Sequence, residues 1–326
     1  MARRLFMCAC TAAAFAGVHA HSADTLRSQF QRPLRIVVPF APGGGQDTTA
    51  RLLGSKITEF TGQQVIVDNR PGGGGIIAAE TTLKAPADGY TMYLASTSFV
   101  VTPSLRKSLP FDTVKDFAPI MRVSNSPGVL AVHASLPVRN VKELVQLAKS
   151  KPGQITFGSA GVASNSHLSG ELFKVLAGVD IIHVPYKGSA PAMNALVGGE
   201  IIMGFSNAVT TIPHVKAGRL KALGVTTLKG SPLLPGVPSV AEAGVPGFEN
   251  MIWSGIVVNS ATPKPMQSAL HELISRTIES AEVKEQLARA GAEPFLGDTP
   301  AKYTAFVSSE IEKWGKVVRR AGIQPQ

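Results

Sequence analysis

Four short segments carry the residues that could do chemistry. They are Pro42-Gly43-Gly44-Gly45-Gln46-Asp47, Ser96-Thr97-Ser98, Gly158-Ser159-Ala160-Gly161-Val162-Ala163-Ser164 and Pro185-Tyr186-Lys187-Gly188. Each follows a strand-like run and leads into a helix or turn. Glycine lets backbone N–H groups come close to a ligand. A helix that starts behind such a loop adds unpaired donors and a partial positive charge. That chemistry suits a carboxylate or another small anion. One such loop is equally a tight βα turn; four of one kind, two in each half of the chain, favour a shared site. Asp47 can meet a ligand cation, or can simply be an acid favoured in the first turn of a helix. His167, early in a helix behind the third loop, can neighbour a ligand or be a satisfied structural histidine.

Several familiar chemistries are not signalled. The first loop lacks the third glycine of a dinucleotide fingerprint, and no loop ends in the Lys-Ser/Thr of a phosphate-binding P-loop. Neither G-x-S-x-G nor H-E-x-x-H occurs, and the histidines have no i, i+4 histidine partner, so no metal or cofactor is expected. A hydrolase built on Ser159 or Ser164 with His167 would need a third, orienting group that the sequence does not point to. Lys and Arg outnumber Asp and Glu by 32 to 22, but they are scattered singly, without basic–aromatic interleaving. Nucleic-acid binding is therefore not expected, although a basic surface speeds encounter with small anions.

The N-terminus reads as an export signal. Arg3 and Arg4 precede an apolar, small-residue stretch from Leu5 to Val18, and Val18-His19-Ala20 offers a cleavage site near Ala20, with Ala23 as a second. Both cysteines, Cys8 and Cys10, fall within residues 1–23. The mature chain then has no disulfide and no thiol, so packed cores must stabilise it. No other stretch reaches the ~18 apolar residues of a membrane span. A soluble periplasmic protein is expected.

The elements that must position the loops alternate. Leu34–Phe40, Val65–Val67 and Tyr90–Ala95 read as strands, with helices over Ala50–Phe60 and Ile76–Leu83 between them. A second set follows: Val129–Val132, Ile155–Phe157, Ile181–Val184, Ile201–Phe205 and Leu220–Val225 as strands, with intervening helices. Asn140 and Glu143 form a capping-box-like start. Pro232–Gly247 is the longest irregular stretch. Two amphipathic helices close the chain, one carrying Leu270 to Leu287, the other entered at Thr299-Pro300 and carrying Trp314 as a core residue. Alternation of this kind argues for an α/β sheet with helices on both faces, and 326 residues exceed what one core usually holds. In a parallel sheet the four loops share the carboxyl edge.

These residues resemble a known family. Pro39-Phe40-Ala41-Pro42-Gly43-Gly44 with Asp47, Asn69-Arg70-Pro71-Gly72, Asp88-Gly89-Tyr90-Thr91, Phe157-Gly158-Ser159-Ala160-Gly161, His183-Val184-Pro185-Tyr186-Lys187-Gly188 and Pro213-His214-Val215-Lys216-Ala217-Gly218 match, in order and spacing, the Bug-type extracytoplasmic solute receptors of tripartite tricarboxylate transporters. The resemblance implies a two-domain periplasmic-binding-protein (Venus flytrap) fold, each domain a mixed sheet flanked by helices. Domain 1 would be residues 24–126 plus 252–326, and domain 2 residues 127–251. It implies a monomeric receptor that passes a small organic carboxylate to membrane transporter subunits, without chemistry of its own. A sensor that reports the ligand to a signalling partner would look the same in sequence.

By position, the ligand carboxylate would meet Phe40, Ala41, Pro42, Gly43, Gly44 and Asp47, with Ser96, Thr97 and Ser98 close by. Ser159, Gly161, Ala163, Ser164, His167 and Tyr186-Lys187-Gly188 would face them from the second domain. Where family members often carry two aspartates, this chain has Ile202 and Ser206, followed by Asn207. That departure points to an organic acid without an ammonium group.

Overall fold

The computed structural model describes residues 26–320 and 322–325. The leader read over residues 1–23, its cleavage sites and both cysteines lie outside the described residues. Strands β1 (Leu34–Val38), β2 (Val65–Asn69) and β3 (Thr91–Ala95) pair in parallel, with β1 in the middle. Helices α1 (Gly45–Thr61), α2 (Ile76–Leu83) and α3 (Thr97–Leu105) follow them in turn. The short apolar run of β1 is buried on both faces, as a parallel strand between helix layers requires. Ile36 and Val38 join a core with Leu53 and Ile57 of α1, while Val37 turns to the opposite core with Phe99 of α3.

The second half repeats the plan. It holds α4 (Val141–Ser150), β5 (Ile155–Ser159), α5 (Asn165–Ala177), β6 (Ile181–Pro185), α6 (Ser189–Gly198), β7 (Met203–Asn207), α7 (Ala208–Lys216) and β8 (Leu220–Val225). Strand β5 lies between β6 and β7, parallel to both. Phe157, Phe173, Phe205 and Phe248 fill the core of this half. Asn140 caps α4 by accepting the Glu143 N–H at 2.9 Å.

Two long antiparallel strands join the halves. β4 (Phe117–His133) pairs with β9 (Met251–Asn259) as far as Pro127, and from Gly128 onward it pairs with β7 and β8 instead. β9 also pairs antiparallel with β3, and β4 pairs antiparallel with β7 and β8, so both sheets are mixed. Most of β4 is not legible in the sequence. Pro119 and Pro127 argue against a strand, and Arg122, Ser124, Asn125 and Ser126 break its alternation. The structure accommodates Pro119 at a register shift and Pro127 where the partner changes.

The C-terminal segment returns to the first half. α8 (Lys264–Glu279) adds Leu270, Leu273 and Ile278 to the β1 core, and α10 (Pro300–Arg320) adds Tyr303, Val307 and Trp314 to the other. The continuous helix expected from Leu270 to Leu287 is in fact two. Ser280 leaves helical geometry and its hydroxyl accepts the Val283 N–H, starting α9 (Ala281–Arg289). Between α9 and α10, β10 (Glu293–Pro294) pairs with β4. The fully buried Asp298 carboxylate accepts from Arg122 Nε at 2.9 Å and Nη2 at 3.1 Å, and also from the Arg122 backbone N–H at 3.0 Å. That guanidinium lies over Phe295 and Phe306, tying β4 to the approach of α10.

Candidate functional site

Five helices begin around one cavity. α1 starts at Gly45 behind Gly44, and α3 at Thr97 behind Ser96; neither has a side-chain cap bond. Across from them start α5 at Asn165, α6 at Ser189 and α7 at Ala208. Residues from all five starts line a cavity of about 170 Å³. An apolar cavity of about 150 Å³ takes benzene, so the space suits a compact organic ligand somewhat larger than that.

The wall contains no Lys, Arg, His, Asp or Glu. Its polar groups are neutral: Gln46, Thr48, Ser126, Ser159, Ser166 and Asn207 among others. Phe40, Phe205, Ile252, Ala192, Ala290 and Ala292 supply apolar surface. Positive potential therefore comes from the first-turn N–H groups and the aligned peptide dipoles. Two buried polar atoms of wall residues, Gln46 Oε1 and Trp253 Nε1, have no protein partner, although Gln46 Nε2 donates to the Trp253 carbonyl at 3.3 Å.

The halves touch across the cavity through glycine. A Cβ at Gly44 would stand 3.1 Å from Ser189 Oγ, one at Gly45 3.8 Å from Asn207 Nδ2, and one at Gly188 3.7 Å from Ala41 Cβ. Gly44 has ordinary extended angles, so close approach, and not backbone conformation, is what calls for glycine there. Asn165 adds a polar link: its Nδ2 donates to Thr97 Oγ1, Asn250 Oδ1 and the Met251 carbonyl at 3.2, 2.9 and 2.8 Å.

Comparison with known proteins places this architecture. The model of the tripartite tricarboxylate transporter family receptor matches residues 49–323. The chain belongs to that family. Solved structures with the same two-domain fold include a Rhodopseudomonas palustris protein with adipate, at 37% identity and TM-score 0.86, covering 91% of this chain and 99% of that one. The periplasmic binding protein BugD matches at 33% identity and TM-score 0.86, covering 91% and 100%. MatC of R. palustris, with bound malate, matches at 30% identity and TM-score 0.83, covering 88% and 99%. No helix among the described residues is long and apolar enough to cross a membrane, and no group of three metal-ligating side chains occurs among them.

Not every residue expected from the receptor's loops reaches the cavity. Phe40, Ala41, Gly43, Gly44, Ser96, Thr97, Ser159, Ser164, Ser206 and Asn207 do. Pro42 and Ser98 do not; Ser98 Oγ turns to Ser96 Oγ at 3.1 Å. Asp47 lies behind the first loop. Its Oδ2 accepts the Gly43 N–H at 3.0 Å and Arg51 Nε at 3.0 Å. Burial pushes this carboxyl up, but Arg51, Gly43 and Asn69 more than offset it and hold it below the ordinary range. Asp47 thus braces the loop. Gly161, Ala163, His167, Tyr186, Lys187 and Gly188 also stand outside the wall. Lys187 is exposed. Ala163 adopts a left-handed φ of 67° and packs with Leu168 in the core of the first half, a contact between the halves.

The wall also takes residues that sequence reasoning missed. Ser124, Ser126, Ile252, Trp253 and Ser254 come from β4 and β9, which carry no loop motif; strand pairing alone brings them there. Asn165 and Ser166 are first-turn residues directly behind Ser164, and the rule that first-turn groups face a ligand could have found them.

The histidines do not make the pairing a hydrolase on Ser159 or Ser164 with His167 would need. His167 does not meet Ser159 or Ser164 through its ring; its Nδ1 accepts the Ala163 N–H at 3.3 Å. The partner of Ser159 is His183, with Oγ to Nε2 at 2.6 Å. The two rings face each other at 4.1 Å between centroids, and His183 stacks on Phe157 at 4.9 Å. Burial, with smaller effects of His183 and Lys174, pushes His167 down to about 3; burial and Lys174 push His183 down to about 4. Both are neutral near pH 7.

Proposed function

We propose that this receptor binds a small organic carboxylate in the cavity and passes it to membrane transporter subunits. One observation carries the reading: five helix N-termini surround a wall without an ionisable side chain. Such a site favours negative charge through oriented N–H groups. A ligand ammonium would be buried there with no carboxylate to pair with, at substantial cost. The ligand is therefore an acid without an amino group. Adipate in one relative and malate in another are acids of this kind.

The remaining assignments follow from this reading. Residues 24–126 with 252–326 form one lobe and 127–251 the other; the switch of β4 partners after Pro127 and the start of β9 at Met251 support those borders. Closure needs the closed state to bind the ligand better than the open one, and donors on both lobes supply that difference. The receptor works as a periplasmic monomer after removal of residues 1–23. It is not an enzyme. His183, held near 4, is a weak base for Ser159, and Glu171 approaches His167 instead, 3.9 Å from its Nε2.

Calorimetric titration tests the reading with adipate, malate, an aromatic carboxylate, aspartate and glutamate. Binding of at least one simple carboxylate, recovered unchanged, is expected. Tight binding of an amino acid with no binding of the simple acids would defeat it.

A further inference from the structure

The two strands that join the lobes also line the cavity. β4 and β9 run antiparallel there, with Ser124 opposite Ser254 and Ser126 opposite Ile252. All four residues belong to the wall. Positions two apart on a strand share one face of the sheet, so these side chains lie together. Trp253, between them in sequence, turns to the opposite face and packs with Tyr303 and Phe306.

Most hydroxyls of the wall are already committed within the protein. Thr48 donates to the Gly44 carbonyl at 3.2 Å, Ser164 donates to the Gly161 carbonyl at 2.6 Å, and Ser126 accepts from Asn207 Nδ2 at 2.9 Å. Ser124 and Ser254 are free. They are 3% and 4% exposed, and among the described residues neither hydroxyl has a hydrogen-bond partner. The fully enclosed, unpartnered side-chain atoms of the wall are Gln46 Oε1 and Trp253 Nε1; the two serine oxygens are not of that kind and keep accessible surface. Both residues are otherwise sealed in the sheet, so that surface is the cavity's.

We propose that Ser124 and Ser254 form a second carboxylate subsite, so that the ligand is a dicarboxylate with one end at the glycine loops and the other on the joining strands. The inference rests on the carboxylate reading and narrows it. Cβ atoms of directly opposed residues stand about 4.5–5.5 Å apart, a spacing from which two O–H groups reach the two oxygens of one carboxylate. A ligand hydroxyl would engage one serine; a carboxylate accepts from both, through the stronger, charge-assisted kind of hydrogen bond. No acidic side chain in the wall repels it. The apolar middle of such a ligand also has surface to meet. Phe40 and Ile252 line the cavity half-buried and belong to none of the packed cores.

Calorimetric titration of Ser124→Ala, Ser254→Ala and the double variant tests the subsite. The probes are succinate, malate and adipate, with butyrate and hexanoate as monoacids of matched length. The diacid that binds the unaltered protein most tightly should exceed its monoacid by at least about tenfold, the worth of one or more hydrogen bonds to charge. Each single substitution should weaken that diacid about 10- to 100-fold and leave the monoacid within about threefold. The double variant should bind the two alike. Because these hydroxyls hold nothing else in the protein, the ligand-free melting temperature should stay unchanged in all three variants. Diacid binding that survives both substitutions, an equal loss for diacid and monoacid, or a loss for malate with none for succinate would overturn the inference. So would a drop in the ligand-free melting temperature. If a monoacid or an aromatic acid binds and no diacid does, the inference falls and the carboxylate reading stands; if no acid binds, both fall.

Discussion

Gly44→Ala separates lobe closure from folding. A Cβ there stands 3.1 Å from Ser189 Oγ on the opposite lobe and 3.8 Å from the Ala41 carbonyl. The second distance is an ordinary contact; the first requires Ser189 or its helix to retreat by a few tenths of an ångström. Backbone angles at residue 44 are φ −87° and ψ 170°, which alanine adopts without strain. The contact exists only when the lobes meet, so its cost falls on the closed state. Overpacking by one methyl costs about 1 kcal/mol or somewhat more, so affinity should fall about five- to tenfold. Loss of glycine at an N-cap should lower ligand-free stability by roughly 0.5–1 kcal/mol.

Gly43→Ala is the control. Its φ is +84° with nothing within 4 Å of a Cβ, so it strains the backbone by about 1–2 kcal/mol without crowding the other lobe. Calorimetry with a bound dicarboxylate, beside thermal denaturation of the ligand-free proteins, reads the two effects. Adding Ser189→Gly to Gly44→Ala should restore most of the affinity. Gly44→Ala binding as tightly as the unaltered protein, or Ser189→Gly giving no relief, would refute the closure argument.

Other expectations follow from the same geometry. Asp298→Ala leaves the mostly buried Arg122 guanidinium without its carboxylate, and urea denaturation should show a loss of about 3–5 kcal/mol. Asn165→Ala strands the Asn250 Oδ1 and Met251 carbonyl acceptors and removes the link to Thr97. It should cost about 1–3 kcal/mol of stability and weaken ligand binding, read by the same two assays. Stability should fall with acid in two stages. His167 and His183 are depressed to about 3 and about 4, so their neutral forms stabilise the fold above pH ~6.5, and this is lost as pH falls toward 4. Asp298 and Asp47 are also depressed, so their contribution is present above the ordinary carboxylate value and is lost as pH drops below about 4. Replacing both histidines by phenylalanine should flatten the first stage and leave the second.

Local order was legible in the residues. Leu34–Val38 reads as a strand because β-branched residues run unbroken, and Gly43-Gly44-Gly45 then forces a turn that α1 can follow. The Asn140 and Thr299 caps were visible because capping is decided within three residues. Loop chemistry pointed to an anion because small residues before a helix expose N–H groups wherever the helix sits. Three-dimensional arrangement settled the rest. Long-range pairing makes β4 and β9 strands despite their polar residues and prolines, and brings Ser126, Ser254 and Ile252 to the cavity. Which histidine meets Ser159 depended on β6 lying beside β5 in register, with His183 opposite Phe157, a separation no sequence spacing encodes. Asp47 braces its own loop because Arg51 and the Gly43 N–H reach it first. Periodicity and capping are properties of neighbouring residues; which surfaces face one another depends on contacts between residues far apart in the chain, and only the packed fold brings them together.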